Sequence, residues 1–302
     1  MIEVDAEYTE EVSLPSPDFV VRRVPIWSFV YDLKKKEIVY SNPLYNEVGT
    51  YLNSAKGSDN MLVRALMNPK DCTSFEMACK TVLSACDDNG LYVELRLKLE
   101  NGSLRWIATR VEVFVRDQDG APAQLLGVME DVTEIKDHQK RVEFEAAHDG
   151  LTRLLNRRAL LEKLKLNIAQ GRQALTACIC DIDNFKSVND RYGHIAGDEV
   201  LCTFAKILTE ELSGSTAMGR LGGDEFCVLF PGVQRDDAAV AMEHVRRCFA
   251  ESLFRTSNGR VFSATASFGL AVWKRGTSWK VLMNQADKAL FEAKRNGRNQ
   301  VA

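Results

Sequence analysis

Residues 219–230 read GRLGGDEFCVLF, and the fold turns on how this stretch is understood. Its second half, EFCVLF, is a short apolar run entered through a glycine pair, the pattern of a buried strand that follows a tight turn. Yet Asp224 and Glu225 stand at the mouth of that strand. A carboxylate buried without a partner costs on the order of several kcal/mol, so these acids belong at an edge where positive charge meets them. Gly222 and Gly223 suit the positive φ of a two-residue hairpin turn and leave bare backbone against which a ligand can lie. The stretch therefore predicts a hairpin with AMGRL (217–221) as its first strand, EFCVLF as its second, and the turn at Gly222–Gly223.

Working outward, ALTACICDI (174–182) is an apolar run fit for a central strand, and residues 196–213 have helical periodicity. Residues 236–252 form another helical pattern, and SATASFGLAVW (263–273) another strand. The order is β-α-β-β-α-β, the split, ferredoxin-like arrangement. Right-handed crossovers place its third strand between the first and the second, antiparallel to both. Asp181 and Asp183 end the first strand, so they meet Asp224 and Glu225 at one rim of the sheet. Carboxylates gathered there call for a divalent metal. All-oxygen ligation with room for phosphates suits Mg²⁺, with Mn²⁺ as the alternative, whereas zinc wants His or Cys. Two such ions clamp the attacking and leaving oxygens of an in-line phosphoryl transfer.

The bulk properties agree. A chain of 302 residues, 45% hydrophobic, accommodates about two domains. A net charge of −3 leaves no basic excess for a nucleic-acid backbone. No run of about 18 apolar residues provides a membrane span, and the N-terminus lacks a secretory signal, so a cytoplasmic location is expected. The eight cysteines contain no CxxC pair and read as reduced core thiols rather than disulfides or a zinc site.

The N-terminal half is organised differently. Residues 1–18 carry six acids and no Lys or Arg, which reads as a disordered, solvated tail. WSFVYDL (27–33) and EIVYSN (37–42) are strands, residues 42–86 are helical and loopy, and three further strands follow in residues 92–133. Asn101–Gly102 and Asp119–Gly120 mark hairpin turns between them. The expected result is an antiparallel five-stranded sheet with helices on one face. This order, with NGSLRWI and the exit GVMEDVTEIK, resembles a PAS sensory domain, assigned to residues 19–130. Its aromatics Trp27, Phe29, Tyr31, Phe75, Trp106 and Phe114 read as core. Cys72, Cys79 and Cys86 share one helix face. The first histidine is His138, which excludes a His-ligated haem there, and no ligand can be named. Residues 131–147 read as a helical linker with apolar Val132, Ile135, Val142 and Ala146, interrupted by Gln139. Both a short parallel pairing and a connector packed on its own domain fit.

From residue 148 to 302 the motifs HDGLTRLLNRRAL, DIDNFKSVNDRYGHIAGDEVL, GRLGGDEF, SFGLA and ADKALFEAKRNGRNQ occur in order. Together they resemble the GGDEF family, the diguanylate cyclases. The resemblance implies an enzyme that condenses two GTP into cyclic di-GMP and two pyrophosphates in a twofold homodimer with two Mg²⁺ per site. It implies that Asp181, Asp224 and the Ile182 carbonyl hold metal, and that Asp224 or Glu225 takes the proton from the 3′-hydroxyl. Asn189 and Asp198, with His194 nearby, would bind guanine, an ionised Asp being acceptor-only and so matched to the two donors on the guanine edge. The backbone around Phe185 and Lys186, the bare turn at Gly222 and Gly223, and the side chains of Lys294 and Arg298 would hold the rest of the nucleotide. One departure stands out: the RxxD inhibitory positions of many members read Ser213, Gly214, Ser215 and Thr216 here. Two rivals remain, a non-catalytic GGDEF receptor that binds GTP or cyclic di-GMP and signals through a protein partner, and another Mg²⁺-dependent nucleotidyl transferase.

Overall fold

The computed structural model describes residues 27–35, 37–40, 69–84, 90–98, 102–171, 174–212, 214, 216–256 and 258–302. The expectations for the 1–18 tail, residues 41–68, Cys86, Asn101, Ser213 and Ser215 lie outside them. The chain divides into two compact units, Met1–Lys140 and Arg141–Ala302.

The first unit holds β1 (Trp27–Asp32), β2 (Glu37–Tyr40), α1 (Pro69–Ser84), β3 (Leu91–Lys98), β4 (Leu104–Arg116) and β5 (Pro122–Asp131). The strands form one antiparallel sheet in the order β2-β1-β5-β4-β3, matching the five-stranded expectation. Strand alternation turns Leu95, Leu97, Ile107, Val111, Leu125 and Met129 to one face, where Phe75 and Val82 of α1 cover them. Cys72 and Cys79 are half-buried on that same side of α1, as their spacing predicts. Phe114 corrects the expectation: it is 40% exposed, because alternation along β4 turns it away from the face that carries Ile107, Val111 and Val113, at a point where the register with β5 also shifts. Trp106 is half-buried under three cations, Arg96, Lys136 and Lys140, at 5.2–5.8 Å from its ring.

Helix α2 (Thr133–Ala147) contains no buried residue; Ile135 and Val142 are exposed, and only Val132, just before it, is buried. The boundary between the units falls inside this helix.

The second unit contains β6 (Leu155–Asn156), α3 (Arg157–Ala169), β7 (Leu175–Ile182), α4 (Phe185–Tyr192), α5 (His194–Glu211), β8 (Ala217–Gly222) and β9 (Glu225–Pro231). It continues with α6 (Arg235–Ala250), β10 (Phe254–Arg255), β11 (Val261–Phe262), β12 (Ala266–Val272) and α7 (Trp279–Arg295). The sheet order is β12-β7-β9-β8-β6, with β9 antiparallel to both β7 and β8, as the crossover rule requires. Sequence patterning left out β6 and the small β10-β11 hairpin, each strand of which is two residues long.

Period-two alternation sorts the central strands into two layers. Cys178, Cys180, Ile182, Phe226, Val228 and Phe268 face α5 and α6, where Phe204 meets Phe226 and Phe249 edge-on at 4.9 Å. Such aromatic pairs add roughly 0.5–1.5 kcal/mol each beyond area burial. Ala177, Ile179, Cys227 and Leu229 face the opposite way, toward Leu160 and Leu164 of α3 and Leu282, Ala286 and Leu290 of α7. Burial pushes the Cys180 and Cys227 thiols up, so both stay protonated, as expected of core thiols.

Helix α7 lies unusually close to β12. A side chain at Gly269 would meet the Leu290 backbone nitrogen at 2.1 Å and the Ala286 oxygen at 2.3 Å. Only a glycine allows this approach, and it carries the C-terminal end of α7 to the sheet rim.

Candidate active site

The alternation that builds the α7 layer also aims the acids. Asp181 follows Ala177 and Ile179 on the same side of β7, and it pairs in register with Glu225 of β9. Residues directly opposite in an antiparallel pair share a face, so both carboxylates stand beside α7. Lys294, in the last turn of α7, reaches in: its Nζ lies 2.7 Å from Asp181 Oδ2. Burial raises the Asp181 carboxyl above its usual range. The hydrogen bond from Lys294 draws it back, while the negative charge of Asp224 and Glu225 adds to the rise. Three carboxylates thus share one rim, as the topology predicted.

The turn differs in detail from the expectation. Gly222 pairs with Glu225 and is the last residue of β8, so the two turn residues are Gly223 and Asp224. Gly223 has φ +55°, the left-handed value such a turn needs. The Asp224 carbonyl accepts from the Ile182 N–H at 3.3 Å, which stitches the turn to the end of β7.

Asp183 does not join the rim. Its Oδ1 accepts from Ser267 Oγ at 2.7 Å, and its Oδ2 accepts from Thr265 Oγ1 at 2.7 Å and from the Asn299 N–H at 3.1 Å. It is buried, and three donors occupy both oxygens, which makes it an anchor for β12 and the loop after α7. Asn299 is held in turn by Arg246 Nη1 at 2.8 Å.

The remaining candidates fall into two groups. Helix α4 begins straight after the rim, with Asn184 at its N-cap in the left-handed region, so its first turn offers the N–H groups of Phe185 and Lys186. Phe185 is half-buried against the core and Lys186 exposed. Across the Gly193 junction, the Asn189 Oδ1 occupies the space that a side chain at Gly197 would need. Asn189 is thereby set beside the start of α5, where Asp198 and His194 are exposed. Arg298 sits exposed in the left-handed region just after α7, with its N–H on the Ala293 carbonyl.

Sequence reasoning missed the brace behind the turn. Arg220 Nε donates to the Gly223 carbonyl at 2.8 Å, and its Nη1 lies 3.2 Å from Asp149 Oδ1. Burial raises the Asp149 carboxyl, but hydrogen bonds from Thr152 and Arg220 outweigh it and hold the group below its usual range. Asp149 lies in the HDGLTRLLNRRAL motif; the available signal was a lone acid in an otherwise basic and apolar segment.

The family model described as diguanylate cyclase, GGDEF domain, matches residues 146–300. The chain belongs to the GGDEF family. It is 32% identical over 212 residues to a diguanylate cyclase of Vibrio cholerae, an alignment covering 69% of this chain and 65% of that one. Diguanylate cyclase DgcM of Escherichia coli is 34% identical over 213 residues, covering 68% and 49% of the two chains. The GGDEF chain thus spans about half to two thirds of the length of these relatives. Among solved structures, the coiled coil and GGDEF domain of DgcB from Caulobacter crescentus, in complex with c-di-GMP, superimposes with a TM-score of 0.55. That match has 31% identity and covers 57% of this chain and 92% of DgcB's. Among the described residues, no helix is long and apolar enough to cross a membrane.

Proposed function

We propose that the chain is a diguanylate cyclase that joins two GTP into cyclic di-GMP. The observation that carries this reading is the rim itself: Asp181, Asp224 and Glu225 stand close enough to act on one another, and Lys294 reaches in to Asp181. In each half-reaction the 3′-hydroxyl of one GTP attacks the α-phosphorus of the other, and the bond to pyrophosphate breaks. Two such steps close the ring and release two pyrophosphates.

The donor set suits a hard divalent cation, because carboxylate oxygens supply it without His or Cys. The raised Asp181 carboxyl and its ammonium partner mark a position where positive charge is wanted. Asp181, Asp224 and the Ile182 carbonyl would hold Mg²⁺, or Mn²⁺ in its place. The metal would supply charge to the phosphoryl oxygens during displacement. Asp224 or Glu225 accepts the hydroxyl proton. Lys294 exchanges Asp181 for the triphosphate, whose other contacts are the first turn of α4, the bare backbone of Gly222 and Gly223, and Arg298. Asn189 and Asp198, with His194 beside them, read guanine. One subunit presents one GTP, so the reacting pair requires a twofold dimer. The five-stranded sheet with α1 on one face supports a PAS sensory domain in residues 19–130, joined through the 131–147 linker that contains α2 and regulating the encounter of the two catalytic domains. GTP supply puts the reaction in the cytoplasm.

The test is purified chain with GTP and Mg²⁺, followed by ion-exchange chromatography. Cyclic di-GMP and pyrophosphate are expected in a 1:2 ratio, with specific activity falling on dilution. Asp224→Asn should lower the rate by about 10²–10³ while the fold persists, the usual effect of losing one preorganised electrostatic group. Tight GTP binding without turnover would favour the receptor reading instead.

A further inference from the structure

Away from the rim, three metal-binding side chains converge that no step above uses. Glu211 is the last residue of α5, and His244 and Cys248 stand one turn apart on α6. Glu211 Oε2 is 2.8 Å from His244 Nε2, and Cys248 Sγ is 3.7 Å from the same nitrogen. All three donor atoms lie within 4.8 Å of one another.

Those separations are near what a tetrahedral zinc imposes. With Zn–N, Zn–O and Zn–S bonds of about 2.0–2.1, 2.0–2.2 and 2.3 Å, neighbouring donors stand roughly 3.3–3.6 Å apart. The Glu211–His244 pair has to open by about half an ångström, the thiol has to close slightly on His244, and the Glu211–Cys248 pair, which lies within 4.8 Å, has to settle near the same spacing; rotamer adjustment of these side chains covers such shifts. An ordinary Glu–His ion pair explains two of the residues but gives the thiol no part, since S–H is a weak donor. A chelate gives all three a part.

The framework holds the donors in place. Leu208 and Leu212 beside Glu211, and Val245 and Phe249 beside His244 and Cys248, are buried in one core cluster. The turns that carry the donors are therefore fixed, while Glu211 and His244 remain exposed and Cys248 half-buried. An ion can enter from solvent, and water can fill the fourth position. One nitrogen, one sulfur and one oxygen are a poor set for Mg²⁺ or Ca²⁺ and a good one for zinc.

We propose that Glu211, His244 and Cys248 form a zinc site that ties the end of α5 to α6. Binding takes the lone pair of His244 Nε2 and displaces the Cys248 thiol proton to solvent, so affinity rises with pH.

The experiment uses the metal-stripped 302-residue chain, titrated with Zn²⁺ against a chromogenic chelator, with parallel Co²⁺ titration followed by absorbance. One zinc per chain should bind at a site that Cys248→Ser and His244→Ala each weaken by at least the roughly 10–100-fold that loss of a mere supporting partner costs. Co²⁺ should give a thiolate charge-transfer band in the near ultraviolet that Cys248→Ser removes. Far-ultraviolet circular dichroism of each variant checks that it is folded, and Cys248→Ala serves if Cys248→Ser is not. Zinc held equally well by the folded variants, or a Co²⁺ complex without a thiolate band, overturns the assignment. Zinc at the carboxylate rim is told apart because it survives both substitutions.

Discussion

Replacing Gly269 by Ala tests whether the close seat of α7 sets both stability and the rim. The backbone at 269 has no left-handed φ, so alanine introduces no conformational strain and the effect is steric alone. Its Cβ would lie 2.1 Å from the Leu290 nitrogen, 2.3 Å from the Ala286 oxygen and 2.7 Å from the Leu290 Cα. Ordinary contacts begin near 3.5 Å, so α7 or β12 has to retreat by roughly 1–1.5 Å. The obstructing atoms are backbone, which cannot turn aside as a long side chain can. Leu282, Ala286, Leu290 and Ala293 would be drawn out of their seats. Overpacking costs about 1–3 kcal/mol, and the upper end applies here. For a unit of this size that corresponds to a drop of roughly 6–12 °C in the midpoint of thermal unfolding. The same retreat stretches the 2.7 Å Lys294–Asp181 contact, so turnover should fall more than the unfolded fraction accounts for at 25 °C. Calorimetry with parallel cyclase assays measures both. A variant that melts within a degree of the parent refutes the packing argument.

Two further expectations follow from the same geometry. The folded Asp149 carboxyl lies below its usual range, so its contribution to stability is present above about pH 4 and is lost as pH falls through the lower folded value. Asp149→Asn should therefore be less stable than the parent at neutral pH, with the gap closing on acidification; a constant gap in melting temperature between pH 6 and pH 2.5 excludes this. On the proposed guanine assignment, Asp198→Ser should let some ATP into product while weakening GTP use. Mixed GTP and ATP with product chromatography decides it, and substantial cyclic GMP-AMP from the unmutated chain contradicts the base assignment.

The meeting of Asp181 with Asp224 and Glu225 was legible because it follows from strand order, and strand order follows from apolar runs and crossover hand. What escaped depended on partners far along the chain. Asp181 and Asp183 look alike in DIDNF, yet one is aimed at α7 and the other is consumed by Thr265, Ser267 and Asn299. Nothing local separates them. The two-residue strands β6, β10 and β11 are too short to show a period. The pairing of residues 300–302 with β12, through Phe268 and Leu270, is likewise a matter of backbone alone. The turn moved by one residue because Gly222 could serve either as a turn residue or as the end of β8, and its pairing with Glu225 decided it. Phe114 is exposed although apolar because residue type alone does not say which face of β4 it takes; its alternation with Val111 and Val113 does.

The anchor at Asp183 also bears on how fast this unit lets go. Its three donors come from 82, 84 and 116 residues further along the chain. These contacts are made only once β12 and the loop after α7 have come to the end of β7, which predicts that they tighten after the folding transition state. Interactions absent from the folding transition state act on the unfolding rate and leave the folding rate almost untouched. On that prediction Asp183→Asn speeds unfolding more than it slows folding, and Asp183 sets how long β12, the β7 end and the loop bearing Arg298 stay latched between openings.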